Sequence, residues 1–147
     1  ELPEFKGNQI WSSFHSVMPW SIIDDRLVDL ALRFADQPDE SIFLSFRRLE
    51  DTVRTRIKSD LHSSKLFSYA FIGDDSPLVL SGVDSSEIKG RGQLFTAAYM
   101  AYRNPRAHRD VNANDVDLLN EFLLINHLFR LEKDAIERTP AANTTGK

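Results

Sequence analysis

The stretch ESIFLSFRRLEDTVRTRIKSDLH, residues 40–62, decides the fold class. Ile42, Phe46, Leu49, Val53 and Ile57 recur at steps of three and four, which puts them on one face of a helix. Arg47, Arg48, Glu50, Asp51, Arg54 and Lys58 fill the rest of the circumference. The pattern predicts one long amphipathic helix from Glu40 to His62. A stripe this narrow suits a bundle core first and a dimer seam second.

On its N-terminal side, Glu1 to Trp20 scatters Phe5, Trp11, Phe14 and Trp20 between Pro3 and Pro19. This reads as an arm with one short helix, Gln9 to Met18. Ser21 or Asp24 caps a helix reaching Ala35, with Ile23, Leu27, Leu30 and Phe34 at helical spacing. Pro38 and Asp39 stop and restart the chain.

Beyond residue 62 the pattern loosens. Ser63 to Ser86 is expected to be irregular, with a turn at Gly73-Asp74-Asp75-Ser76-Pro77. Pro77 to Leu80 resembles a strand but lacks an evident partner, so a non-helical connection is expected. Ser85 or Ser86 then caps a helix with Glu87 in its first turn. Gly90-Arg91-Gly92 has neither the spacing nor the trailing Lys-Ser/Thr of a phosphate loop. Its glycines are expected to allow close helix packing. Asn114 caps a last helix to about Arg138, with Val116, Leu119, Phe122, Leu123, Asn126 and Arg130 marking one edge and Leu118, Ile125, Leu128, Phe129 and Leu131 broadening its apolar face. His127 is expected as a satisfied core residue. Thr139 to Lys147 lacks core-forming residues and is expected to be a loose tail.

The predicted fold is all-α, an antiparallel helical bundle with an N-terminal helical extension. Residues 1–38 form the arm and short helices, 39–138 the main domain and 139–147 the tail. A chain of 147 residues can bury one substantial core. Its net charge of −4 argues against general nucleic-acid coating. No apolar run is long enough to span a bilayer, and no secretory pattern is visible. The chain has no Cys, which excludes disulfides and thiolate metal sites. The four His lack metal-ligand spacing, so no metal or cofactor is expected. The expected compartment is the cytoplasm.

Chemistry concentrates in Ala101-Tyr102-Arg103-Asn104-Pro105-Arg106-Ala107-His108-Arg109. Arg103 is a permanent fork-shaped cation matched to phosphate oxygens. His108 can move protons in both directions near neutral pH. On a straight helix the two positions stand about 140° apart. Pro105 disfavours a regular helix, so the helix is expected to end near Tyr102 or Arg103. A turn at Asn104-Pro105 would then bring both side chains to one pocket. Arg103 and His108 are the candidate catalytic residues. Tyr102, Asn104, Arg106 and Arg109 are the candidate substrate-binding residues. The pair suggests phosphodiester chemistry on nucleic acid without a metal.

Reading from Glu87, the order is E-x-x-G-x-x-x-L-F, seven residues, then R-N-P-x-A-H. This resembles the Ymh-type family of bacterial and phage proteins, which belongs with the HEPN superfamily of small helical domains. The likeness covers about Glu40 to Glu137 and is most specific between Leu78 and His108. Arg103 and His108 match the R-x4-6-H signature of HEPN domains. The resemblance implies a metal-independent endoribonuclease in a toxin–antitoxin or anti-phage system, acting on RNA. It also implies a homodimer whose motifs face each other, and an antitoxin or defence-system partner. The alternative is a catalytically inactive module that binds nucleic acid or protein. In a third reading Arg103 pairs structurally with Glu87 or Glu50.

Overall fold

The computed structural model describes residues 17–108, 110 and 113–139, the side chain of His108 excepted. Folded structure begins with short 3-10 turns at Trp20–Ile22 and Asp25–Leu27, leading into helix α1, Val28–Arg33. Asp24 caps this start by accepting the Arg26 backbone N–H. Helix α2 is Pro38–Ile57, with Pro38 in its first turn and Lys58 in the left-handed region closing it. Helix α3 spans Ser63–Phe71, strand β1 Leu78–Val79 and helix α4 Ser85–Ala98. The chain continues from α4 through a π turn, Tyr99–Arg103, into helix α5, Asn104–His108. Helix α6, Asp115–Asp134, and strand β2, Ile136–Glu137, complete the described elements. The fold is an all-α helical bundle. The predicted helix Gln9–Met18 falls largely outside the described residues, as does most of the tail.

The stripe of α2 packs as predicted. Ile42, Phe46, Leu49 and Val53 are fully buried, and Ile57 packs at the edge. Leu118, Phe122, Ile125, Leu128 and Phe129 of α6 close the core from the other side. The cap of α6 is the expected one, with Asn114 Oδ1 accepting the Asp117 N–H at 2.9 Å. The cap of α4 lies one residue earlier than expected. Asp84 Oδ1 accepts the N–H groups of Ser86 and Glu87, each at 2.9 Å.

Several expectations between α2 and the C terminus are corrected. Ser63–Phe71 is a helix, because Leu66, Phe67, Ala70 and Phe71 fall on one face and are buried there. Leu78–Val79 does find a strand partner, pairing antiparallel with Ile136–Glu137 in the register Leu78 to Glu137. The last helix therefore stops at Asp134, short of Arg138, so that the chain can extend into β2. The glycine expectation holds for Gly92 alone. A Cβ there would stand 2.9 Å from the Phe71 carbonyl oxygen, whereas Gly90 has nothing within 4 Å. His127 is exposed, and its neighbour Asn126 takes the interior position. Asn126 accepts from Asp24 N at 2.7 Å and donates to the Ile22 carbonyl at 2.9 Å, fixing the N-terminal turns to α6.

Candidate functional site

Pro105 does not end its helix. In an unbroken α-helix it would leave the Ala101 carbonyl without a donor and press its ring against that carbonyl. The π turn removes the conflict by widening the ladder one step earlier, where Asn104 N–H donates to the Tyr99 carbonyl. Pro105 then enters in the first turn of α5, where a missing N–H is tolerated. The expected turn at Asn104-Pro105 is thus corrected to a continuous helix with a local bulge. Bulges of this kind occur often at functional sites.

Arg103 ends the π turn. Its guanidinium carbon lies 5.0 Å from the centroid of the Phe43 ring and 5.3 Å from that of Tyr99. Stacking on two ring faces holds the cation in place, a contact that strengthens as water is excluded. Arg103 is half-buried, and its Nε is buried with no hydrogen-bond partner among the described residues. The structural pairing with Glu87 or Glu50 is not formed. Glu87 holds Arg91 at 2.5 Å, and Glu50 holds Arg54 at 3.1 Å.

Arg106 behaves oppositely. Its side chain is only 5% exposed and meets Glu121 at 2.5 Å and Asp39 at 3.2 Å. It also donates to the Tyr102 carbonyl at 3.0 Å. Expected at a phosphate, Arg106 instead ties the motif helix to the start of α2 and to α6. Its Nη2 remains buried without a partner among the described residues. Burial pushes the Glu121 carboxyl above the usual carboxylate range, against the lowering influence of Arg106. The ion pair forms but does not fully repay the loss of water.

Tyr102 lines a cleft of about 320 Å³ with Ala113, Asp117, Asn120, Glu121 and Leu124. Asn104 is half-buried at the start of α5. Arg109 and the His108 side chain lie outside the described residues; among the others, Arg106 meets the Tyr102 carbonyl, whereas Arg103 turns to the rings of Phe43 and Tyr99.

A polar cluster that sequence reading passed over sits beside Arg103. Glu50 is buried in α2 and accepts the Ser63 N–H at 2.8 Å. The Tyr99 hydroxyl reaches Glu50 Oε2 at 3.4 Å and Ser63 Oγ at 3.3 Å. His62 Nδ1 lies 3.7 Å from Glu50 and 3.1 Å from Arg54 Nη2. The one sequence signal was Glu50 itself, placed where the apolar stripe meets the charged face.

A family model described as a protein of unknown function, Hypoth_ymh, matches residues 30–131. The chain belongs to the Hypoth_Ymh family. No curated protein and no solved structure matches it. The Ymh match runs from α1 to near the end of α6 and so includes Phe43, Glu50, His62, Tyr99, Arg103 and His108. Among the described residues, no group of three or more His, Asp or Glu is placed to hold a metal ion. No described helix is long and apolar enough to cross a membrane.

Proposed function

We propose that this Ymh domain is a metal-independent endoribonuclease of HEPN type, serving as a toxin or in anti-phage defence. The observation that carries the reading is the state of Arg103. Arg26, Arg48, Arg54, Arg56, Arg91 and Arg106 each hold a carboxylate. Arg103 is half-buried, braced on two aromatic rings, and has no carboxylate among the described residues. A partly desolvated guanidinium without a counter-ion favours an anionic ligand, and its planar fork matches phosphate.

In the proposed reaction the RNA supplies its own nucleophile. The 2′-hydroxyl oxygen bonds to the adjacent phosphorus while the bond from phosphorus to the 5′ oxygen breaks. His108 takes the 2′ proton or delivers one to the leaving oxygen, and His108 of a second copy fills the other role. Positioned proton transfer of this kind contributes about 10²–10⁴-fold. Arg103 holds the phosphate and stabilises the charge that builds on it. The products are a 2′,3′-cyclic phosphate and a 5′-hydroxyl end. A homodimer formed through the face carrying the motif belongs to this proposal.

The test is RNA cleavage in EDTA by wild type, Arg103→Ala and His108→Ala, each confirmed folded. Wild-type cleavage lost in both variants, and absent on a strand lacking 2′-hydroxyls, is the expected result. Equal cleavage of DNA refutes the mechanism. RNA binding without cleavage by any of the three moves the assignment to an inactive binding module.

A further inference from the structure

Phe43, Arg47, Glu50 and Arg54 follow one another on α2 at steps of four, three and four, and so form a single stripe. With a rise of 1.5 Å per residue, Arg47 stands about 6 Å and Arg54 about 16.5 Å beyond Phe43 along the axis. Both ends of the stripe meet other elements. Arg103 lies over Phe43, and Arg54 Nη2 lies 3.1 Å from His62 Nδ1. Arg47, between them, is exposed and has no ion-pair partner among the described residues.

Of the acidic groups along this flank, Asp39, Glu50 and Asp51 are already engaged. Arg54 holds Asp51 at 2.5 Å and Glu50 at 3.1 Å. Glu50 also accepts from Ser63 N and the Tyr99 hydroxyl, and Asp39 is held by Arg106. Ser63 adopts a left-handed φ of 61°, which costs a residue with a side chain some strain. Its N–H bond to Glu50 helps hold that bend and with it the preceding His62. His62 Nδ1 faces Arg54 Nη2 at 3.1 Å and Glu50 Oε1 at 3.7 Å, so its Nε2 is the ring nitrogen turned away from both. The His62 side chain is 70% exposed, leaving Nε2 open to a ligand. Arg103, Arg47 and His62 therefore remain as donors in a row.

We propose that this flank of α2 is a track for single-stranded RNA. Arg103 seats one phosphate, and Arg47 and His62 seat the phosphates that follow it, with Arg54 and Glu50 positioning His62. The track rests on the reading that Arg103 takes a phosphate, and it gives an acidic chain a local path for an anionic strand.

The experiment is fluorescence anisotropy of a labelled single strand lacking 2′-hydroxyls, so that binding is read apart from cleavage, over a range of salt concentrations. Arg47→Ala is expected to lower the slope of log affinity against log salt by about 0.7, the contribution of one single-strand phosphate contact. His62→Ala is expected to weaken binding about tenfold with a smaller change of slope. Arg47→Glu should weaken it further than Arg47→Ala. Arg130→Ala, an exposed arginine on α6, should leave binding unchanged. Arg47 and His62 are exposed, so unchanged unfolding midpoints should accompany these effects. Binding lost in Arg103→Ala but kept in Arg47→Ala, Arg47→Glu and His62→Ala overturns the track and leaves the Arg103 reading standing. Equal losses in Arg47→Ala and Arg130→Ala, with none in Arg103→Ala, overturn both.

Discussion

Replacing Arg106 should damage the fold far more than replacing Arg103, although the two lie three residues apart in one motif. In Arg106→Met the side-chain volume is largely kept, while Glu121, only 13% exposed, loses its buried partner. Removing one member of a buried pair costs about 3–5 kcal/mol, because the remaining charge stays desolvated. The Asp39 contact adds little, since its 54% exposed carboxylate is worth at most about 1 kcal/mol there. Arg103→Ala removes contacts with two rings, worth about 0.5–2 kcal/mol, and strands no described carboxylate. Urea unfolding at neutral pH measures both, provided the slope m is unchanged. The loss in Arg106→Met should shrink in acid. Glu121 already lies above the usual carboxylate range, and without Arg106 it rises further. A raised carboxyl keeps its stability contribution below the unfolded value of 4.5 and loses it as pH climbs through the folded one. Arg106→Met/Glu121→Leu should recover most of the loss, since an apolar pair carries no desolvation cost. Equal destabilisation by Arg103→Ala and Arg106→Met would refute the distinction between a residue of the frame and a residue of the site.

Two further perturbations follow from the fold. Asp24→Asn keeps a capping oxygen but removes the charge that Arg26 holds at 2.8 Å, and should cost about 1.5–3 kcal/mol at neutral pH. The Arg26 guanidinium holds the Asp24 carboxyl below its ordinary 3.8, so the wild type's advantage is present above that value. It fades as pH falls through the depressed one, visible in thermal unfolding against pH. Gly92→Ala should destabilise by about 1–3 kcal/mol, because its Cβ meets backbone. Gly90→Ala, with open space around it, should instead stabilise by about 0.5–1 kcal/mol. Thermal unfolding of the two variants side by side checks both signs.

The elements legible in the sequence are those whose signal is long or chemically specific. Helix α2 runs twenty residues with an unbroken stripe, and α6 carries a strong cap at Asn114. Helix α3 was lost because nine residues hold few periods and no side chain caps its start. Strand β1 could not be assigned because its partner is two residues long and lies after the last helix. Within the motif, residue types alone put both arginines at the substrate, Arg103 as catalytic and Arg106 as binding. What separates them comes from elsewhere in the chain: Asp39 and Glu121 draw Arg106 inward, whereas Phe43 and Tyr99 offer Arg103 rings and no counter-ion.

The continuous helix changes how the motif must be understood. A turn at Pro105 would have gathered Arg103 and His108 at one pocket of one chain. With the helix carried on through a bulge, no turn at Pro105 folds one position back toward the other. Arg103 rests on Phe43 and Tyr99, and Arg47 follows Phe43 one helical turn further along α2. A site completed by a second copy and a strand held along α2 are both consistent with that arrangement, and they make different demands. If the proposed dimer and cleavage hold, loss of dimerisation should abolish cleavage while leaving single-strand binding to the α2 flank intact. Loss of Arg47 should weaken that binding while leaving the oligomeric state unchanged. Measuring oligomeric state and binding on the same Arg47→Ala and dimer-breaking variants separates the two functions that one short motif would otherwise appear to join.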